Sequence, residues 1–259
     1  MKAMIFAAGL GTRLKPLTDT LPKALVPVAG KPLLEHVINR LQDAGIDDYV
    51  VNVHHFSEKI VKYLAERDAS GVTVSVSDES ACLLDTGGGI QHARELLMDG
   101  EPESGFFLVH NVDIISDLDI RAFMGKWRPG ALAVLLVSER KTQRYLLFDD
   151  DMRLVGWTNI ATGEVRSPYP SLDPSRFRKL AFSGIHLVSN GVFDVMSSEG
   201  MGERFPIMDF YLKACDRYPI YGHAPESLQL IDVGKLDTLA QAEDFMLRLR
   251  RSCPEGAEA

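Results

Sequence analysis

Cysteine is scarce in this chain and carries no pattern: Cys82, Cys215 and Cys253 are odd in number, scattered, and without Cys-x-x-Cys spacing. Neither a disulfide framework nor a zinc site is indicated, and free thiols are expected. No apolar run reaches the length of a membrane span, and glycines interrupt the N-terminus before a signal-peptide core could form. These absences predict a cytoplasmic protein with no membrane partner. Basic charge is also lacking. Lys and Arg number 28 against 36 Asp and Glu, a net charge of −8, which argues against a general nucleic-acid surface while leaving room for a phosphate site built from a few local cations. The seven histidines show no ligand spacing, and His54 and His55 read as structural. Nothing indicates an obligate protein partner.

What the chain does hold is a short apolar run, Ala3 to Phe6, with the length of a buried strand, emptying into Ala7-Ala8-Gly9-Leu10-Gly11-Thr12-Arg13 and continuing to Pro22-Lys23. Glycines free the backbone N–H groups of Ala8, Gly9 and Gly11 to approach a phosphate chain, while Thr12 adds a hydroxyl and Arg13 and Lys23 add cations. A triphosphate suits that set. The loop is not a dinucleotide fingerprint, because Leu14 stands where the third glycine belongs, nor a Walker A loop, because no Gly-Lys-Ser/Thr follows.

Downstream, Leu33, Leu34, Val37, Ile38 and Leu41 recur at helical spacing and Gly45 closes the segment. A strand at 49–53, a helix through Phe56, Ile60 and Leu64, and a strand at 72–76 complete a β-α-β-α-β order. That order predicts a parallel sheet covered by helices, with ligands gathering beyond the carboxyl ends of its strands. Thr86-Gly87-Gly88-Gly89 reads as a glycine loop open to a flat ligand such as a base, followed by a helix at 91–98. The apolar run 106–109 leads into His110-Asn111-Val112-Asp113, where a carboxylate at a buried strand's end suits magnesium. From residue 131 strands dominate, at 131–137, 144–148, 153–157 and 180–188, with Asp149-Asp150-Asp151 as a solvated turn. A strand at 228–231 reaches Asp232-Val233-Gly234, a helix through Leu239 to Leu249 follows, and 252–259 reads as a frayed tail.

Gly9-x-Gly11-Thr12-Arg13-Leu14-x-Pro16-Leu17-Thr18, a spacer, then Pro22-Lys23 resembles the compound motif of the sugar-phosphate nucleotidylyltransferases. The Gly triplet, Asp113, Gly184 and Asp232 follow in that family's order. The compact members, N-acetylmuramate 1-phosphate uridylyltransferases and mannose or heptose 1-phosphate guanylyltransferases, are the most similar. The resemblance implies a Rossmann-like, doubly wound, mixed but mainly parallel sheet in a three-layer α/β/α arrangement. It implies one domain over 1–251, with a nucleotide half at about 1–130 and a sugar half at about 131–235. It further implies transfer of a nucleoside monophosphate from an NTP to a sugar 1-phosphate, with Mg2+ as cofactor. Arg13 and Lys23 become the catalytic cations; Ala8, Gly9, Gly11, Thr12, Thr86, Gly87 and Gly88 the nucleotide-binding residues; Asp113 and Asp232 the metal ligands; and Asn111, Asn159 and Gly184 the sugar contacts. The chain departs from the family in two places. Val112 replaces a glycine before Asp113, and Trp157-Thr158-Asn159 stands near where a Glu-Lys-Pro triplet belongs, leaving Arg166 and Lys179 as candidates for the sugar-phosphate cation. UTP and GTP remain equally open. A phosphocholine-type cytidylyltransferase and a non-catalytic nucleotide-sugar-binding module on the same fold are the alternatives.

Overall fold

The computed structural model describes residues 1–67 and 71–252. In chain order the first half comprises β1 (Ala3–Phe6), β2 (Pro27–Val28), β3 (Lys31–Pro32), α1 (Leu33–Asp43), β4 (Asp48–Val53), α2 (Ser57–Glu66), β5 (Thr73–Asp78), α3 (Asp85–His92), α4 (Arg94–Met98), β6 (Phe106–Asn111), β7 (Ile114–Ser116) and α5 (Ile120–Met124). The second half adds β8 (Ala133–Ser138), β9 (Arg144–Phe148), β10 (Leu154–Asn159), β11 (Glu164–Arg166), β12 (Arg178–Ser189), α6 (Val192–Ser198), α7 (Ile207–Ala214), β13 (Ile220–His223), β14 (Leu230–Asp232) and α8 (Leu236–Ser252).

Ten strands form one mixed sheet in the order β11-β10-β9-β12-β6-β1-β4-β5, with β8 joined to β12 and β13 to β8. Its centre is parallel: β1 pairs in that sense with both β4 and β6, and β4 with β5. The antiparallel pairings come from the second half, through β12 against β6, β8 and β9. Successive side chains on a strand face opposite ways, and the core divides accordingly. Ala3, Ile5, Val51 and Leu108 pack on one face with α1, α2, α5 and α8. Met4, Val50, Phe107 and Val109 pack on the other with α3, α4, α6 and α7. Continuous apolar runs in β6 and β8 follow from burial on both faces.

Several expectations need adjusting. The glycine triplet does not precede a helix at 91–98; it lies inside α3, and the helical stretch breaks at Ala93 before α4 begins. The last strand is displaced to Leu230–Asp232 and belongs to a two-stranded ribbon with β7 rather than to the main sheet. Asp149 does close a turn, accepting hydrogen bonds from the Asp151 and Arg153 amides at 3.1 and 2.8 Å. The tail expected at 252–259 lies, beyond Ser252, outside the described residues. No helix among the described residues is long and apolar enough to cross a membrane.

Candidate active site

The loop after β1 is held from below and from within. The Ala7 amide donates to Asn52 Oδ1 at 2.8 Å, tying the loop to the end of β4. The Leu14 amide and the Thr18 hydroxyl both donate to the Gly11 carbonyl at 2.8 Å. Gly11 has a φ of +64°, and a Cβ there would lie 2.8 Å from Thr18 Cγ2 and 3.1 Å from Lys23 Cβ, so the turn requires glycine. Gly9 faces open space instead. Thr12 and Arg13 begin a short 3-10 turn, and Lys23 begins another.

A cavity of about 370 Å3 opens at the carboxyl ends of β1, β4 and β6, where an open α/β sheet collects ligands. Among the residues named from sequence, Ala8, Gly9, Lys23, Thr86, Asn111 and Asp113 border it. Gly11 and Thr12 do not; they shape the loop. Asn52, Glu79 and Asp85 also border it and were not among the site residues predicted from sequence: Asn52 and Glu79 lie outside any motif, and Asp85 directly precedes the Thr86–Gly89 stretch. Glu79 is buried and accepts from Asn52 Nδ2 at 2.7 Å and from the Leu84 amide at 3.2 Å. Burial pushes its carboxyl above the usual carboxylate range, and those two donors oppose the shift. Glu79 thus couples the loop after β1, through Asn52 and Ala7, to the start of α3.

The two carboxylates named from sequence as metal ligands, Asp113 and Asp232, are brought together by the β7–β14 ribbon. Asp232 stands opposite Ile114, and the Val233 amide donates to the Asp113 carbonyl at 2.8 Å. Lys23 Nζ forms an ion pair with Asp113 Oδ2. Asp232 Oδ1 is enclosed without a hydrogen-bond donor. Burial raises the Asp232 carboxyl above its ordinary range, the Asp113 charge adds to the rise, and Lys23, Arg13 and Arg140 counter it. Two adjacent carboxylates, one of them with a buried oxygen that accepts no hydrogen bond, are donors of the kind that fit a hard divalent cation. A Cβ on Gly234 would fall 2.6 Å from Arg13 Nη2 and 2.8 Å from Asp232 Oδ1, so this glycine lets the guanidinium and the carboxylate close together. Val112, in place of the family's glycine, buries its side chain in the core, and its amide donates to the Phe6 carbonyl at 3.2 Å.

The remaining candidates separate. Gly184, at φ +75° in an irregularity of β12, abuts Asn111: a Cβ there would be 3.0 Å from Asn111 Nδ2. Asn159 is not brought to the cavity; it ends β10, three strands from β6, and its Oδ1 accepts from the Ala161 amide at 3.0 Å. Arg166 is engaged by Asp209 at 2.8 Å. Gly87 and Gly88 serve packing: both amides donate to the Phe205 carbonyl, and a Cβ would meet the Phe205 ring or the Glu203 carbonyl at 2.2 Å. Thr86 Oγ1 accepts from the Ile207 amide at 2.9 Å.

The architecture is that of the sugar nucleotide-forming transferases. A putative glucose-1-phosphate thymidylyltransferase from Bacillus anthracis superposes with a TM-score of 0.76, covering 99% of this chain and 97% of that one at 20% identity. HddC from Yersinia pseudotuberculosis gives 0.71, covering 95% and 99% at 21% identity. The nucleotidyl transferase family model matches residues 2–248, and the chain belongs to that family. Among relatives, an N-acetylmuramate alpha-1-phosphate uridylyltransferase of Caulobacter vibrioides is 33% identical over 87% of this chain and 89% of its own. Another with that name from Neisseria meningitidis serogroup B is 46% identical, over 47% of this chain and 51% of its own. The catalytic subunit beta of a Danio rerio mannose-1-phosphate guanylyltransferase is 28% identical over 82% of this chain and 60% of its own.

Proposed function

We propose that this nucleotidyltransferase joins UTP and N-acetylmuramate 1-phosphate, releasing pyrophosphate and forming the UDP-sugar. The observation that carries the chemistry is the meeting of Arg13, Lys23, Asp113 and Asp232 beside the cavity at the end of β1. The full-length similarity to the Caulobacter uridylyltransferase supports the choice of substrates. A second reading, GTP with mannose 1-phosphate, draws on the similarity to the Danio rerio guanylyltransferase subunit.

In the reaction an oxygen of the sugar phosphate forms a bond to the α-phosphorus while the bond to the bridging oxygen breaks, its electron pair leaving on pyrophosphate. The attacking group is already an anion, so the protein's work is positioning and charge stabilisation. The loop amides from Ala8 to Thr12 would receive the triphosphate, Arg13 the departing β- and γ-phosphates, and Lys23 the α-phosphate, where negative charge concentrates. Glu79, which borders the cavity and has acceptor capacity beyond its two donors, would accept from the ring N–H that uracil and guanine share beside a carbonyl. Mg2+, held by Asp113 and Asp232, would neutralise charge on the phosphoryl oxygens.

The test is a panel of UTP, GTP, CTP and dTTP against N-acetylmuramate 1-phosphate, mannose 1-phosphate, glucose 1-phosphate and phosphocholine, scored by pyrophosphate release with Mg2+ and after chelation. UTP with N-acetylmuramate 1-phosphate should turn over fastest, and chelation should abolish the signal. Silence across the panel in the presence of Mg2+ would reject an enzymatic role and leave the binding-module reading. Turnover confined to CTP with phosphocholine would favour the other alternative.

A further inference from the structure

The proposed reaction brings two polyanions together, and the acceptor phosphate needs a cation of its own. Arg13 and Lys23 both come from the triphosphate loop. Arg166 and Lys179, the candidates from sequence, are poorly placed: Arg166 is committed to Asp209 on α7, and Lys179 stands opposite Leu147 in the β9–β12 pairing. A different arginine occupies the right edge. β12 runs antiparallel to both β6 and β8, so β6 and β8 run parallel and their carboxyl ends share one side of the sheet. Asp113 follows β6 and Arg140 follows β8 on that side.

Arg140 is exposed, and its Nη2 donates to the Phe182 carbonyl at 2.9 Å. That bond fixes one arm of the guanidinium two residues before Gly184, which itself abuts Asn111 on the cavity wall. The other N–H groups are left for a ligand, since among the described residues Arg140 has no carboxylate partner; its neighbour Glu139 is taken by Arg178 at 3.7 Å. Arg140 also borders a second cavity, of about 490 Å3, together with Ser138 and Leu230, the latter two residues ahead of Asp232. A planar guanidinium with free N–H pairs is suited to hold a phosphate monoester through two parallel hydrogen bonds.

We propose that Arg140, anchored on the Phe182 carbonyl at the end of β8, binds the phosphate of the incoming sugar 1-phosphate and takes the place of the cation that the Trp157-Thr158-Asn159 segment lacks. The assignment rests on the nucleotidyl transfer proposed above and deepens it: the acceptor phosphate is met from the second half of the chain, opposite the two cations that meet the triphosphate.

The experiment is two-substrate steady-state kinetics on Arg140→Ala, Arg140→Lys and Arg166→Ala with the most active pair from the panel. For Arg140→Ala the kcat/KM for sugar 1-phosphate should fall about 10- to 100-fold, while KM for the nucleoside triphosphate changes less than about twofold. Arg140→Lys should recover part of the loss, since it restores the charge without the fork. Arg166→Ala should leave the sugar 1-phosphate KM within about twofold of wild type. Melting temperatures of the three variants verify that each is folded. An unchanged sugar 1-phosphate KM in folded Arg140→Ala, an equal rise in both substrates' KM values, or transfer of the effect to Arg166→Ala would overturn the assignment while the nucleotidyl transfer stands. Failure of the wild-type protein to turn over any pair would overturn both.

Discussion

At the scale of single residues, the site is a balance of charge in which Lys23 occupies the central position. Its side chain is 12% exposed and its ammonium group pairs with Asp113, beside an Asp232 oxygen that accepts no hydrogen bond. In the resting protein this pairing holds two carboxylates together that would otherwise repel, and on the proposed reading the same charge turns to the α-phosphate as negative charge gathers there. The contribution is therefore larger in the transition state than in the ground state, which is the condition for an effect on turnover. Lys23→Ala should lower kcat about 10²- to 10³-fold, the range for loss of one charge-stabilising group, and raise the triphosphate KM by less than about tenfold. Steady-state rates at saturating sugar 1-phosphate check this, and undiminished turnover would remove Lys23 from the catalytic group. Much of this residue set was legible in sequence, because Gly11, Arg13 and Lys23 fall within one compact motif. Glu79 and Arg140 were not. Each lies among other charged residues in a connecting segment outside any motif, and its place is set by strands that pair far along the chain.

Helix α3 shows at the scale of an element why local reading fails where packing overrides propensity. Three consecutive glycines predict a loop, since glycine costs a helix about 1 kcal/mol per residue relative to alanine. Packing overrides that propensity here: the connecting segment at Glu203 and Phe205 lies directly against Gly87 and Gly88, closer than any side chain permits. The two influences give opposite signs for Gly88→Ala. Helix propensity alone would make the variant more stable by about 1 kcal/mol. The contact argues otherwise: the new Cβ would lie 2.2 Å from the Glu203 carbonyl oxygen, a backbone atom that cannot rotate away. Overpacking of this kind costs about 1–3 kcal/mol, so the variant should be less stable, with α3 displaced and Thr86 drawn from the cavity wall it borders. Urea denaturation gives the sign directly, and a rise in midpoint would mean that the 203–207 segment yields. The parallel strands and α1 follow the opposite logic. Their hydrophobic spacing and their burial agree, and for that reason sequence located them to within a residue or two.

For the whole molecule, the two faces of the sheet meet through strands whose buried polar residues link stability to pH. His110 and His186 lie on adjacent strands in the middle of the sheet, and both are almost wholly enclosed. Burial pushes the His110 imidazole down to about 4 and the His186 imidazole to about 3, against an ordinary value of 6.5. His186 Nδ1 shares a 2.9 Å hydrogen bond with the Tyr211 hydroxyl on α7, a contact between sheet and helix that suits the neutral ring. Both groups are depressed in the folded state, so the unfolded chain binds more protons between their folded values and 6.5. Their contribution is complete above pH 6.5 and is lost as pH falls toward 4. Glu79 and Asp232, with raised carboxyls, act in the reverse sense and reduce the slope without involving the same elements. With two histidines at up to about 1.4 kcal/mol per pH unit each, the fall from pH 6.5 to 5 amounts to a few kcal/mol, a sizeable share of the 5–15 kcal/mol that holds a typical domain. Urea midpoints measured at half-unit steps should therefore decline steadily below pH 6.5, accompanied by net proton uptake on unfolding. A flat profile from pH 6.5 to 4.5 would show that the central strands do not hold these two rings neutral.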